Sequence, residues 1–159
     1  MYNHILIPTD GSELSNMAIY EGVALAKALG ARVTVVTVTT PFRVFTADPT
    51  MITDTPDQYK EHMAAVGGQY LDVAKKIAKA AGVTCDLVHL EHDQPYQAII
   101  DTAQKRGCDA IHMASHGRRG ISAILLGSET LKVLTHSAIP VIVCRRPSPA
   151  TLRDSFAAS

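Results

Sequence analysis

Short apolar runs and longer stretches of helical period take turns along this chain, and that alternation restricts its fold more than any other feature. The runs are Ile5-Leu6-Ile7, residues 33–38, 85–90 and 110–114, and Val141-Ile142-Val143. They are continuously apolar rather than alternating, as strands buried on both faces are. Between the first two runs, residues 12–29 place Leu14, Ala18, Gly22, Leu25 and Leu29 on one stripe of a helix. Ser12 can cap its start, Glu13 suits the positive end of its dipole, and Gly30 can stop it. Further helices are expected over 56–81, opened by Pro56 and closed by Gly82, over 94–105, and over 128–135. Residues 39–55, with Pro41 and Pro49, read as an irregular excursion. Strands separated by helices imply right-handed crossovers and a parallel sheet covered on both faces. The expectation is a doubly wound α/β domain with a five-stranded sheet.

At 159 residues the chain suits one domain, expected over 1–145, followed by a tail at 146–159 that carries Pro147, Pro149 and small polar residues. Lys plus Arg equals Asp plus Glu, 15 against 15. Zero net charge argues against a protein that mainly holds nucleic acid, and it removes one barrier to self-association. With no Trp and 5% aromatic residues, a stacking platform is not expected either. Cys85, Cys108 and Cys144 form no CxxC pair, which suits a reducing compartment. The N-terminus has neither a basic region nor a long apolar one, and no run approaches about 18 apolar residues. A cytoplasmic protein without a membrane partner is expected.

In open α/β sheets, ligands bind beyond the carboxyl ends of the strands. Two segments qualify: Pro8-Thr9-Asp10-Gly11-Ser12 after the first strand, and Ser115-His116-Gly117-Arg118-Arg119-Gly120 after the fourth, continuing to Gly127-Ser128-Glu129-Thr130. The second has the makings of a phosphate site. Gly117 allows close backbone approach, Gly127-Ser128 opens a helix whose N–H groups attract anions, and the arginines add charge. The competing reading is a solvated loop with Ser128 as an ordinary N-cap. For Asp10 the plainer role is a turn residue in Asp-Gly, and for Val38 and Met113 it is core packing. Neither GxxxxGK[ST] nor GxGxxG after the first strand is present. Cys85, His89 and His92 lack a fourth ligand, and Ser115 is not in a GxSxG elbow because Met113 holds the first glycine place.

These segments carry a resemblance to the universal stress protein family, from about Asn3 to Arg145. Its nucleotide-binding members have glycine, two residues, glycine, nine residues, then glycine followed by Ser or Thr. Here the places hold Ala114, Gly117 and Gly127-Ser128, so alanine replaces the first glycine. The opening Ile5-Leu6-Ile7-Pro8-Thr9-Asp10-Gly11-Ser12 and the closing His136-Ser137-Ala138-Ile139-Pro140-Val141-Ile142-Val143 also resemble the family's ends. The resemblance implies strand order 3-2-1-4-5 and an ATP site. Pro8, Thr9 and Asp10 would lie against the adenosine, and the Val38 backbone would meet the adenine edge. Met113 and Ala114 would form the floor, with His116 and Gly117 near the ribose and phosphates. Gly127, Ser128, Glu129 and Thr130 would hold the phosphates, with Mg²⁺ or Mn²⁺ brought by the ligand.

It further implies a regulatory homodimer joined through the edge strand Val141-Ile142-Val143, with at most weak ATPase activity. The alternative is an interaction dimer of the same family without nucleotide, which Ala114 favours and Gly117 and Gly127-Ser128 oppose. An adenylate-forming enzyme would need a Ser-Gly-Gly-type loop where Thr9-Asp10-Gly11-Ser12 stands.

Overall fold

The computed structural model describes residues 1–42, 55–116 and 126–145. The expected tail, most of the excursion, and Gly117, Arg118 and Arg119 lie outside the described residues. The elements are β1 (His4–Pro8), α1 (Glu13–Leu29), β2 (Arg32–Thr39), α2 (Pro56–Ala81), β3 (Cys85–Glu91), α3 (Pro95–Lys105), β4 (Ala110–Ala114), α4 (Ser128–His136) and β5 (Val141–Cys144). The five strands are all parallel and stand in the order β3-β2-β1-β4-β5. The apolar runs are the strands, and the order is the expected one.

Strand alternation sends each run to two cores. Ile5, Ile7, Val33 and Val35 pack with Ile19, Val23 and Ala26 of α1 and Leu71, Ala74 and Ile77 of α2. Leu6, Val36, Ile111 and Met113 pack with Ile99, Ile100 and Ala103 of α3 and Val133 of α4. The α1 stripe differs from its sequence expectation: Leu14, Ala18 and Gly22 are buried, but Leu25 and Leu29 are only partly so, while Ile19, Val23 and Ala26 are the inner residues. A helix wedged between a sheet and α2 buries a wider arc than one stripe, and its margin takes the long leucines.

Each helix is started differently. Ser12 Oγ accepts the Ser15 N–H ahead of α1. Thr55 and Gln58 form a reciprocal capping box ahead of α2. α3 and α4 have no cap hydrogen bond from their own N-cap side chains, Gln94 and Gly127. Among the described residues, no helix is long and apolar enough to cross a membrane.

Candidate functional site

β1 and β4 are neighbours for only part of their length. Their register covers Ile5↔Ala110 and Leu6↔Ile111, and beyond those pairs the two strands part. This is the switch point of the sheet, where the crossovers run to opposite sides. A cavity of about 590 Å³ opens there, within the size of small-molecule sites. Of the twelve residues singled out in the sequence, it is lined by Pro8, Thr9, Asp10, Val38, Met113, Ala114, His116, Gly127, Ser128, Glu129 and Thr130. Gly117 is the one that lies outside the described residues. A smaller hollow of about 260 Å³ between β3 and α3 has Val88 and Leu90 in its floor. Its rim mixes Asp101 with Lys105 and Arg106, so it concentrates no single charge.

The turn after β1 is held by its own side chains. Thr9 N–H donates to Val36 O at 2.9 Å, extending the strand by one residue. Thr9 Oγ1 accepts the Gly11 N–H at 3.2 Å and lies 3.1 Å from Ser15 Oγ. Asp10 Oδ1 accepts the Ser12 N–H at 3.0 Å, the turn role expected of an Asp-Gly pair. Gly11 has φ +73°, and a Cβ there would fall inside the Tyr70 ring of α2. Both the left-handed backbone and the overlying ring require glycine.

Val38 owes its place to strand length. Arg32 and Val36 turn their backbone groups toward β1, as Arg32 N–H→Asn3 O and Thr9 N–H→Val36 O record. Alternation sends the Val38 N–H and C=O the same way, but the β1 pairing stops at Pro8↔Val36. A donor and an acceptor therefore face the cavity side by side.

The second segment is closed by Gly127, whose N–H donates to Ser115 O at 2.8 Å. A Cβ on Gly127 would lie 3.0 Å from His116 Cα and 3.2 Å from its Cβ, so the two backbones touch only because a side chain is missing. Gly127, not Ser128, is the N-cap of α4, and it has no side chain to accept the helix's first N–H groups. The N–H groups of Ser128, Glu129 and Thr130 thus have no intrahelical acceptor, and they begin the helix at the cavity wall. The Thr130 hydroxyl, buried, donates to Ala114 O at 2.9 Å and ties the helix to the end of β4. The Glu129 carboxylate turns to α3, where Oε2 accepts the Tyr96 N–H at 2.8 Å. His116 Nδ1 lies 3.1 Å from Ser115 Oγ.

Behind the cavity, burial holds His112 below its usual pKa, and His4 likewise, so both rings are neutral in the sheet. Burial also raises the thiols, Cys85 and Cys108 to about 11 and Cys144, beside the Glu21 carboxylate, to about 12. None is a thiolate at neutral pH, and all three serve as small apolar fillers. His89 Nε2 lies 2.9 Å from Thr39 Oγ1, whereas His92 Nδ1 turns to the backbone of Gln94. The cavity also includes Ser15, Val36, Thr40, Pro95 and Ile99, which sequence reading missed. Thr40 follows directly from Val38, but nothing in the sequence marks Pro95 and Ile99 of α3 as cavity residues.

A parallel sheet of this order, with helices on both faces and a crevice at its switch point, defines the doubly wound α/β class. Comparison with known proteins narrows the class. The profile of the Universal stress protein family matches residues 1–145, and the chain belongs to that family. It is 32% identical over 152 residues to universal stress protein MJ0531 of Methanocaldococcus jannaschii, covering 92% of this chain and 84% of the relative. Among solved structures, that of MJ0577, a universal stress protein of the same organism, superposes with a TM-score of 0.77 at 26% identity, covering 93% of this chain and 99% of its own. A universal stress protein in complex with cAMP (TM-score 0.68, 23% identity, 92% and 99% covered) and one from Archaeoglobus fulgidus in complex with dAMP (0.61, 22%, 89% and 97%) share the fold.

Proposed function

We propose that this chain is an ATP-binding universal stress protein, a small regulatory homodimer with slow or no hydrolysis. The observation that carries the reading is the N-terminus of α4 at the cavity wall: N–H groups that meet no cap acceptor among the described residues suit an anion. The Val38 backbone pair at the other end suits an adenine edge, and the cavity's volume suits a nucleotide. Two family structures whose complexes hold cAMP and dAMP support the same ligand class. Both carboxylates at the cavity already accept hydrogen bonds, Asp10 from Ser12 and Glu129 from Tyr96 and Lys132. That commitment supports slow or no hydrolysis, and it leaves Mg²⁺ or Mn²⁺ to be held by the phosphates.

The test is whether the purified protein releases nucleotide on denaturation, followed by titration of the refolded protein with ATP and with GTP as control. We expect ATP to be carried or to bind, and GTP to bind more weakly. No nucleotide in either experiment overturns the reading and leaves the interaction dimer. For assembly, the edge strand β5 keeps Val141, Ile142 and Val143 only half-covered, and α4 exposes Leu131 and Leu134. Pairing with a second copy would cover such an edge. Ile142→Lys is expected to shift the protein toward monomer in sedimentation; an undiminished dimer would place the interface elsewhere.

A further inference from the structure

α3 begins without a cap of its own. Gln94 makes no cap hydrogen bond with its side chain, and Pro95 at the first position has no N–H. The first N–H of the helix is that of Tyr96, and its acceptor is Glu129 Oε2, brought from α4. Glu129 Oε1 meanwhile accepts from Lys132 Nζ at 2.9 Å. The same ammonium lies 5.4 Å from the centroid of the Tyr96 ring, whose other neighbour is the His136 ring at 5.3 Å. Positions 129, 132 and 136 share one face of α4, and that face grips the first turn of α3.

Glu129 is also the second residue of α4, at the helix end that would receive phosphate. A carboxylate pointing into that site would repel an anion. Anchored on the Tyr96 N–H and paired with Lys132, it is held toward α3 and its charge is matched. Pro95 and Ile99 of α3 and Gly127 and Ser128 of α4 line the same cavity, so a bond joining these two helices fixes two of its walls.

We propose that the Glu129 side chain is a positioning residue: by capping α3 in trans it sets where the N–H groups of α4 stand, and it governs affinity for the phosphates rather than for the nucleoside. This rests on the nucleotide reading above and assigns to the carboxylate a role other than ligand contact. The experiment titrates wild type, Glu129→Ala and Glu129→Gln with ATP and with adenosine, and follows exchange of the Tyr96 amide by NMR. Glu129→Ala is expected to weaken ATP by about tenfold and adenosine by less than about twofold, and to speed Tyr96 exchange, as loss of a cap should. Glu129→Gln, which keeps an acceptor for the Tyr96 N–H, is expected to recover most of the ATP affinity and the amide protection. Equal losses for both ligands, unchanged ATP affinity, or a glutamine variant as poor as alanine each overturn the positioning role. A wild type that binds neither ligand overturns the nucleotide reading and this inference with it. A wild type that binds both, with the ratio unchanged in Glu129→Ala, overturns the inference alone.

Discussion

Two strand-to-helix connections meet at the cavity, and they are built on opposite plans. After β1 the chain needs only residues 9–12 to enter α1, and that turn satisfies itself: Thr9 and Asp10 accept N–H groups within it, and Ser12 caps the helix. After β4 the chain takes residues 115–127 to reach α4, and it delivers a glycine where a cap would stand. Across the molecule, α1 is capped by Ser12, α2 by Thr55 and α3 by Glu129 from another helix. Among the described residues, α4 is the helix whose first N–H groups meet no side-chain cap acceptor. Three helix ends find a side-chain acceptor among the described residues, and the fourth meets none there and lies at the cavity wall, which is the contrast the proposed phosphate site rests on.

The hardest blow to this contrast is Gly127→Val. The new Cβ would press on the His116 backbone and break the Gly127 N–H→Ser115 O closure, moving the start of α4. ATP affinity is expected to fall at least about a hundredfold, ~2.8 kcal/mol, with a smaller effect on the thermal midpoint. Calorimetry gives the first quantity and a melt the second. Unchanged affinity would remove the α4 end from the site.

Gly11→Ala strikes the other connection and should do the reverse. It forces a left-handed alanine, roughly 1–2 kcal/mol, and drives Tyr70 from its seat. Urea unfolding is expected to show a loss of about 2 kcal/mol. Tyr70→Ala should remove the collision and leave only the backbone part, so the double variant falls short of additivity. Strict additivity would mean that Tyr70 does not restrain the turn.

What the sequence disclosed follows the same divide. The strands, the helix bounds and the β1 turn are legible because they depend on neighbours: apolar runs, Asp10-Gly11, Ser12 ahead of Glu13 and Gly30 behind the helix. Gly127 and Ser128 also stand at a helix start by sequence, and the competing solvated-loop reading makes Ser128 the N-cap, since hydroxyls usually hold that place. The structure puts Gly127 there because His116 approaches its backbone, a contact across an intervening loop. Glu129 was grouped with the phosphate ligands by position. Its partner Tyr96 is 33 residues away on another helix, and no local pattern announces such a bond. Tyr70 over Gly11 and Ile99 in the cavity wall were hidden for the same reason.

The finest test lies at Ala114, where the chain departs from the glycine of the nucleotide-binding pattern. No non-glycine residue among those described has positive φ, so alanine costs nothing in the backbone here. Its neighbours are Leu14 and Ala18 of α1 and Cys144 of β5, and its carbonyl accepts from Thr130. The methyl therefore packs beneath the cavity, where glycine would leave a gap. Ala114→Gly is expected to tighten ATP by less than about tenfold, ~1.4 kcal/mol, and to cost about 1 kcal/mol of stability through the lost methyl and the freer unfolded chain. Titration of both proteins, with GTP as control, and urea unfolding supply the numbers. A wild type that binds no ATP beside a glycine variant that does would make Ala114 the switch, and the protein an interaction dimer. If both bind with similar affinity, the open end of α4 carries the site whether or not the glycine is there.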